Sequence, residues 1–197
     1  MGNKQPQIIV IAGPNGAGKS TLAPHLLKDT FGLLEYVNAD TIARGLSAFN
    51  PESVAFEAGR VMLERLHSLA EQRKSFAFET TLATRSYASW LSQLKHQDYR
   101  FHLLYLWLRS PELALHRISE RVQLGGHDVS ESLVRRRYTR GMQNFFRLYQ
   151  PLADSWTVFD NSESNGPMLV AVGNALTTPD IIRQELWDEI KGVAYEY

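Results

Sequence analysis

Short apolar runs alternate with amphipathic stretches along the chain, a pattern typical of strands and helices in turn. The clearest run, Tyr99–Leu108, is almost continuously apolar, as expected for a strand covered on both faces. Further apolar runs predict strands at Gln7–Ala12, Leu34–Asn38, Ser75–Glu79, Trp156–Phe159 and Met168–Val172. Strands that alternate with helices in this way predict a parallel sheet with helices on both sides.

The stretches between these runs carry signals for helix starts. Asn50-Pro51-Glu52 places a capping residue before a proline at the first helical position, and Ser110-Pro111-Glu112 and Thr178-Pro179-Asp180 repeat the pattern. Helical spacing then predicts one buried face formed by Val54, Ala58, Met62, Leu66 and Leu69. A second buried face is predicted for Val134, Tyr138, Met142, Phe145 and Tyr149, with Arg140 and Arg147 off it.

Composition limits the classes of function. A chain of 197 residues with 44% hydrophobic residues suits one domain, 1–197, with a substantial core. The net charge of zero does not favour nucleic acid or an anionic membrane as a partner. The absence of cysteine excludes disulfides, thiolate metal sites and a cysteine nucleophile, and fits a reducing compartment. No apolar run approaches membrane-spanning length and no signal peptide is recognised, so we expect a cytoplasmic protein.

A complete phosphate-binding motif follows the first predicted strand. Residues 13–20 read Gly-Pro-Asn-Gly-Ala-Gly-Lys-Ser, which matches G-x-x-x-x-G-K-[ST]. The glycines let successive backbone N–H groups approach a phosphate, Lys19 supplies charge for the β- and γ-phosphates, and the Ser20 hydroxyl is placed to ligate Mg²⁺. We therefore expect ATP and Mg²⁺ as cofactors, with the nucleotide bound by Gly13, Pro14, Asn15, Gly16, Ala17, Gly18, Lys19, Ser20 and Thr21.

This context predicts an α/β fold, namely a three-layer P-loop NTPase (kinase-like) fold with a mostly parallel sheet and a helical, arginine-bearing lid. Ligands of such sheets bind at the carboxyl ends of the strands. Asp40 follows the second run and could accept a proton from a substrate hydroxyl, hold Mg²⁺ through water, or simply cap a helix. Glu79 ends the third run and Thr80 follows it, and the acid could bind a substrate hydroxyl or the metal shell, or be a solvated strand end or cap.

The lid is predicted at approximately 117–140, within a segment that has eight arginines and no lysine between positions 109 and 147. Leu124-Gly125-Gly126-His127-Asp128 breaks the segment into two helices. Arginine's planar fork suits phosphate oxygens, so a helix–loop–helix element of this kind is typical of a lid over a triphosphate, although part of it is expected to be a solvated face. The candidates for phosphate contact are Arg117, Arg121, Arg136 and Arg137, and His127 is a candidate for the substrate or a local hydrogen-bonding residue.

Two features narrow the chemistry further. No acid follows the longest strand, which ends in Leu108 and continues Arg109-Ser110-Pro111, so the acids near the metal are sought among Asp40, Glu79 and Asp160. Asp160-Asn161-Ser162 is also ordinary turn chemistry. No Asn-Lys-x-Asp guanine signature follows the phosphate-binding loop, which argues against a GTPase.

The ordered set of motifs resembles the zeta-toxin family of P-loop kinases over nearly the whole chain. The matching segments are 13–21, Asn38-Ala39-Asp40, Phe78-Glu79-Thr80-Thr81, 121–129, Arg136-Arg137-Tyr138 and Asp160-Asn161-Ser162. The resemblance implies phosphorylation of the sugar 3′-hydroxyl of UDP-N-acetylglucosamine and neutralisation by a small antitoxin. It also implies ATP-phosphate binding by Lys19, activation of the hydroxyl by Asp40, a role for Glu79 and phosphate contacts from two lid arginines. The catalytic set expected in this chain is Asp40, Lys19, Glu79 and Arg121.

We therefore expect an ATP- and Mg²⁺-dependent kinase of a small-molecule acceptor, with a sugar nucleotide as the first candidate and an antitoxin-like protein as a candidate partner. The substrate-side candidates are Asp40, Glu79, Thr80 and His127. Two alternatives stay open from the sequence. One is a nucleotide-binding module that hydrolyses ATP slowly and acts through a protein partner. The other is a kinase of a different acceptor, such as a nucleoside, an antibiotic or a nucleic-acid end.

Overall fold

The computed structural model describes residues 5–30, 32, 33 and 35–195. The strands in this part of the chain are β1 (Gln7–Ala12), β2 (Tyr36–Val37), β3 (Phe76–Thr80), β4 (Arg100–Trp107), β5 (Ser155–Asp160), β6 (Met168–Asn174) and β7 (Thr177–Ile181). They form one seven-stranded sheet in the order β2-β3-β1-β4-β5-β6-β7. The pairs from β2 to β5 are parallel, whereas β6 and β7 each pair antiparallel.

Helices fill the connections between the strands. They are α1 (Lys19–His25), α2 (Ala39–Leu46), α3 (Ala55–Glu71), α4 (Ser86–His96), α5 (Pro111–Gln123), α6 (Glu131–Asn144), α7 (Gln150–Leu152) and α8 (Gln184–Tyr195). A 3₁₀ turn at Pro51–Val54 precedes α3, and π-helical turns at Leu26–Thr30 and Phe145–Tyr149 follow α1 and α6. No helix among the described residues is both long and apolar enough to cross a membrane.

The sheet is covered on both faces, as the sequence predicts. Consecutive residues Ile8–Ala12 of β1 are all fully buried, although alternate side chains of a strand point to opposite faces. The predicted stripe of α6 is also confirmed, since Val134, Tyr138 and Met142 are buried. The stripe continues into the π-helical turn with buried Phe145 and Tyr149, and Arg140 and Arg147 are exposed. The expected three-layer α/β architecture is therefore present.

Three local expectations change in the structure. The helix predicted to start at Thr178-Pro179-Asp180 is wrong, because these residues belong to β7 and the last helix begins at Gln184. Pro179 is tolerated there because β7 is the edge strand, where a missing N–H need not cost a ladder hydrogen bond. The side chain of Asn50 makes no capping hydrogen bond, and a 3₁₀ turn intervenes before α3. The second strand is shorter than predicted, Tyr36–Val37, and Leu34 lies outside the described residues.

Aromatic stacking attaches the last helix to the sheet. The rings of Trp156 on β5 and Trp187 on α8 lie 5.5 Å apart with an interplanar angle of 7°. Phe146, which follows α6, packs against Trp187 at 5.4 Å. Both indole rings are buried, so this contact closes the core beneath the antiparallel end of the sheet.

The strand register brings the predicted chemistry to one edge. Ala12 is the partner of Thr80, and Ile11 is the partner of Glu79, in the parallel pair β1–β3. On the other side of β3, Val37 pairs with Phe78. Because these three strands are parallel neighbours, the segments that follow their carboxyl ends meet at the same edge of the sheet.

Candidate active site

The phosphate-binding loop connects β1 to α1, and its glycines are required by both conformation and space. Gly13 has φ 138° and Gly18 has φ 80°, values that residues with a Cβ rarely adopt. A Cβ at Gly13 would lie 2.2 Å from the carbonyl oxygen of Leu106, and one at Gly18 would lie 2.8 Å from Nδ2 of Asn161. The loop therefore rests closely against the end of β4 and against the loop after β5.

The segment after β5 braces the phosphate-binding loop. Asn161 Nδ2 donates to the carbonyl of Ala17 at 2.9 Å. Arg117 holds this segment in turn, since its guanidinium donates to the carbonyls of Asn161 at 2.7 Å and Ser162 at 3.0 Å. Buried Asp160 accepts from both the backbone N–H and the hydroxyl of Ser162. Asp160 thus supports a turn, and Arg117 is committed largely to backbone carbonyls.

Lys19 lies at the start of α1 with its ammonium turned onto its own loop. Nζ donates to the carbonyl oxygens of Gly13 at 2.9 Å and Pro14 at 2.8 Å. Burial lowers the pKa of Lys19, and the carboxylates of Glu79 and Asp40 partly oppose that shift. The ammonium therefore belongs to a cluster of charges that contains Asp40 and Glu79, two of the three acids considered from the sequence.

Glu79 is held by two hydroxyl groups from different elements. Ser20 Oγ donates to Glu79 Oε2 at 3.0 Å, and the Tyr36 hydroxyl donates to Glu79 Oε1. Asn38 Nδ2 in turn donates to the Tyr36 hydroxyl at 3.2 Å and, more weakly, to Ser20 Oγ at 3.4 Å. Burial and the Glu79 carboxylate raise the pKa of Tyr36, so the phenol keeps its proton and stays a donor. This acid is therefore part of an ordered network and not a freely solvated strand end.

Asp40 is in the first turn of α2, and the cap of that helix is a different residue. Asn38 Oδ1 accepts from the backbone N–H of Thr41 at 3.1 Å, so Asn38 is the cap and the carboxylate of Asp40 is not needed for that task. The side chain of Asp40 is 54% exposed, and its Oδ2 lies 3.4 Å from Nε2 of His127. The capping explanation of Asp40 is removed by this geometry.

The loop between α5 and α6 positions His127 over Asp40. Arg121 Nη2 donates to the carbonyl of His127 at 2.9 Å and approaches its Nε2 at 3.4 Å. Gly126 packs tightly on Arg121, because a Cβ there would lie 2.5 Å from Cγ of that arginine. The backbone N–H of Asp128 donates to Glu52 at 3.1 Å. His127 is consequently fixed by contacts on both sides, and burial lowers its pKa despite the opposing charge of Asp40.

The lid arginines have distinct surroundings. Nε of Arg121 is buried and has no hydrogen-bond partner among the described residues, and the residue lines the cavity described below. Arg137 reaches Asn15 of the phosphate-binding loop at 3.5 Å, and burial lowers its pKa while the Asp40 charge opposes the shift. Arg136 is exposed and is absent from the cavity wall. Arg135 forms ion pairs with Glu112 and Glu131 outside the cavity.

A cavity of about 570 Å³ joins these groups. It contains most of the predicted site residues, namely Asn15, Gly16, Gly18, Lys19, Ser20, Thr21, Asp40, Glu79, Thr80, Arg117, Arg121, His127 and Arg137. Its remaining wall consists of residues that the sequence did not single out as site candidates, namely Asn38, Ala39, Thr41, Arg44, Gly59, Met62, Thr81, Thr84 and Tyr87. A neighbouring cavity of about 730 Å³ shares Arg44, Arg121 and His127 with it.

Some of the cavity residues that were not predicted could have been found from their spacing in the sequence, and others could not. Arg44 lies one helical turn after Asp40 and so projects from the same side of α2, a spacing that can be read from the sequence. Tyr36 and Asn38 are two residues apart at the end of an extended segment and share a face for a similar reason. Met62 and Tyr87, in contrast, reach the cavity only through the packing of α3 and α4, which no local pattern reveals.

Comparisons with known proteins place the chain in a defined group. The family model of zeta toxin matches residues 1–166. An uncharacterized protein of Haemophilus influenzae is 32% identical over 134 residues, which cover 68% of this chain and 94% of that protein.

Solved structures resemble the whole fold. A chain of the AvrRxo1-ORF1:AvrRxo1-ORF2 complex with sulphate ions superposes with a TM-score of 0.75 and 17% identity, and covers 95% of this chain. This chain spans 64% of that one. A crystal structure of the same complex with ATP gives a TM-score of 0.73 at 18% identity, with 95% of this chain and 64% of that chain covered. A structure of the PezAT chromosomal toxin–antitoxin system of Streptococcus pneumoniae gives 0.66 at 16% identity, and covers 100% of this chain and 81% of that one. At these identities the likeness shows the fold, and the expected kinase-like α/β architecture is confirmed.

Proposed function

This chain belongs to the zeta toxin family, and we propose that it is an ATP- and Mg²⁺-dependent kinase that transfers the γ-phosphate to a hydroxyl group of a small molecule. The observation that carries the proposal is one cavity that brings the phosphate-binding loop from Asn15 to Ser20, the Asp40 carboxylate and lid arginines together. Phosphoryl transfer depends mainly on positioning and charge neutralisation, which are the contributions that such an arrangement can make.

The nucleotide side of the proposed site is formed by the loop from Gly13 to Ser20. Lys19 and the loop N–H groups bind the β- and γ-phosphates, and Lys19 exchanges its present carbonyl partners for phosphate oxygens. The guanidinium groups of Arg121 and Arg137, which both line the cavity, neutralise the charge of the transferred group.

The residues around Ser20 fit a magnesium ion that is held with the nucleotide. Ser20 donates its proton to Glu79, which leaves an oxygen lone pair for a cation, and Mg²⁺ usually takes few protein ligands besides phosphates and waters. No group of three or more His, Cys, Asp or Glu side chains among the described residues forms a metal site by itself. When bound, the ion would neutralise charge on the phosphates.

Asp40 is the proposed general base on the acceptor side. It accepts the proton of the acceptor hydroxyl as the oxygen forms a bond to the γ-phosphorus, and the bond from that phosphorus to the bridging oxygen breaks with its electron pair going to ADP. Thr80 and His127 line the same cavity and are the proposed contacts of the acceptor.

The acceptor that we propose first is UDP-N-acetylglucosamine or a related sugar nucleotide, on the basis of the family. The proteins of similar structure suggest a protein partner, because the AvrRxo1 structures contain ORF1 together with ORF2 and PezAT is a toxin–antitoxin system. We accordingly propose a small antitoxin-like protein as a partner of this chain.

The test is a transfer assay with purified protein, MgATP and UDP-N-acetylglucosamine, followed by product mass. We expect one added phosphoryl group, and we expect Asp40→Ala to lower kcat by about 10²- to 10⁴-fold while nucleotide binding is retained. Asp180→Asn, on the exposed edge strand β7, is the matched control and should keep full activity. ATP turnover that is equal in wild type and Asp40→Ala, without a phosphorylated acceptor, would contradict the kinase assignment.

A further inference from the structure

A continuous chain of hydrogen bonds runs from the start of α2 to the phosphate-binding loop. It begins at Asn38, passes through the Tyr36 hydroxyl to Glu79 Oε1, and continues from Glu79 Oε2 to Ser20. Its members come from β2, from the residue that caps α2, from β3 and from α1. The proposed function assigns roles to Ser20 and Glu79 but gives none to Tyr36.

The donor and the acceptor of each hydrogen bond in this network can be assigned by starting from Asn38. Asn38 Oδ1 is occupied as the acceptor of the Thr41 N–H, so the amide group of Asn38 presents its NH₂ to Tyr36. The Tyr36 oxygen therefore accepts from Asn38, and its single proton goes to Glu79. Ser20 likewise directs its single proton to the other oxygen of Glu79.

The arrangement restrains the Glu79 carboxylate at both oxygens. A glutamate side chain has several rotatable bonds, and one hydrogen bond would leave its carboxylate free to turn. The two donors reach it from separate elements, so together they hold the orientation in which Oε2 accepts from Ser20. The same orientation keeps a lone pair of Ser20 available to a cation.

We propose that Tyr36 is a positioning residue that holds Glu79 on Ser20 and thereby commits Glu79 to the metal side of the site, not to the acceptor hydroxyl. This inference rests on the proposed binding of a magnesium nucleotide. The role differs from that of Asp40, which contacts His127 and makes none of the hydrogen bonds of this network.

The experiment compares wild type with Tyr36→Phe in the binding of ADP, measured by calorimetry over a range of Mg²⁺ concentrations. The ring is retained, so thermal unfolding without nucleotide should stay close to wild type. We expect the Mg²⁺ concentration for half-maximal enhancement of ADP binding to rise about tenfold, as is typical when a residue that orients a metal ligand is lost. ADP binding without Mg²⁺ should be unchanged.

Tyr195→Phe is the matched control, because Tyr195 is exposed on α8 and does not line the cavity. Its Mg²⁺ dependence should equal that of wild type. The double variant Tyr36→Phe/Glu79→Gln should need the same Mg²⁺ concentration for half-maximal enhancement of ADP binding as Glu79→Gln alone, because Tyr36 acts through the carboxylate.

Two outcomes would overturn the inference. Mg²⁺ dependence within twofold of wild type in Tyr36→Phe would show that the hydroxyl does not position Glu79. Equal losses from Tyr36→Phe in the wild-type and Glu79→Gln backgrounds would show that it acts by another route. Wild-type protein whose ADP binding ignores Mg²⁺ would contradict the proposed function itself, so the two failures can be distinguished.

Discussion

The surroundings of His127 lower the pKa of its imidazole. Burial lowers its pKa, Asp40 and Glu52 oppose that shift, and Arg121 and Arg44 reinforce it. The imidazole is therefore neutral at pH 7, and a neutral ring can donate one hydrogen bond to the carboxylate of Asp40.

This environment predicts a pH effect on stability. The folded-state pKa lies below the unfolded value of about 6.5, so the unfolded state binds more protons between the two values and the free energy of unfolding rises with pH there. The contribution is complete above about pH 6.5 and is lost as pH falls towards the folded-state pKa. Urea unfolding at pH 5 to 7 should show a smaller pH dependence in His127→Gln than in wild type.

His116→Gln is the control for this measurement, because His116 is exposed on α5 and lies beside Glu120, one helical turn away. Its unfolding curve should change with pH as the wild-type curve does. A His127→Gln protein with the full wild-type pH dependence would show that the imidazole does not experience the burial described above.

Single residues also show which parts of the site can be predicted from a sequence. The phosphate-binding loop is contiguous, and its function depends on residue types at fixed spacing, so Lys19 and Ser20 were identified. Tyr36 was missed because its role depends on Glu79, which is 43 residues away along the chain. Asp40 had three explanations from the sequence, and only the cap is removed, because Asn38 caps the helix.

At the scale of elements, α6 approaches the loop after β3 closely enough to require a glycine. A Cβ at Gly141 would lie 2.2 Å from the carbonyl oxygen of Thr81. The same loop is held by Asn144, whose Nδ2 donates to the carbonyl of Leu82 at 2.7 Å. Leu82 has φ 57°, so the loop keeps an unusual conformation beside the wall formed by Thr81 and Thr84.

Gly141→Ala should therefore destabilise the protein by about 1–3 kcal/mol, because the helix or the loop must shift to make room for a methyl group. Gly192→Ala is the matched control in α8, where a Cβ would meet no heavy atom within 4 Å. That substitution should stabilise the protein by about 0.5–1 kcal/mol, since alanine restricts the unfolded chain. Denaturant unfolding measures both, and a Gly141→Ala protein as stable as Gly192→Ala would contradict the close packing.

Elements with strong local periodicity were predicted well, whereas those at the sheet edges were not. The stripe of α6 and the continuous run of β4 both reflect burial on a regular repeat. The Thr178-Pro179-Asp180 segment fits the sequence rule for the start of a helix, but it is equally compatible with an edge strand. The pairing with β6 decides in favour of the strand. The start of α8 thus depends on tertiary contacts that are absent from the local sequence.

At the scale of the whole molecule, the proposed site predicts that nucleotide binding stabilises the fold. A ligand at 100 times its Kd adds about 2.7 kcal/mol to the free energy of unfolding. For a domain of this size that corresponds to a rise in Tm of roughly 5–10 °C. Thermal unfolding with MgADP should show this rise in wild type and a much smaller one in Lys19→Ala, which lacks the ammonium of the phosphate-binding loop.

Lys191→Ala is the control for Lys19→Ala, because Lys191 lies on α8, pairs with Asp188 in the same helix and does not line the cavity. It should respond to MgADP like wild type. An equal response from the Lys19→Ala protein would place the nucleotide elsewhere.

The architecture as a whole was largely predictable, because alternating strands and helices after a phosphate-binding loop leave few arrangements of a parallel sheet. The antiparallel end was not predicted, since the apolar run of β6 has the same appearance whether its neighbour is parallel or antiparallel. The family match covers residues 1–166 and so stops before β6.

The stacked pair of Trp156 and Trp187 has an optical consequence. Two buried indole rings held in one fixed orientation should contribute to the near-ultraviolet circular dichroism spectrum, where indole absorbs. One ring belongs to β5 and the other to α8, and the signal therefore reports the docking of the C-terminal helix. The protein thus carries an intrinsic spectroscopic probe that separates detachment of that helix from unfolding of the sheet.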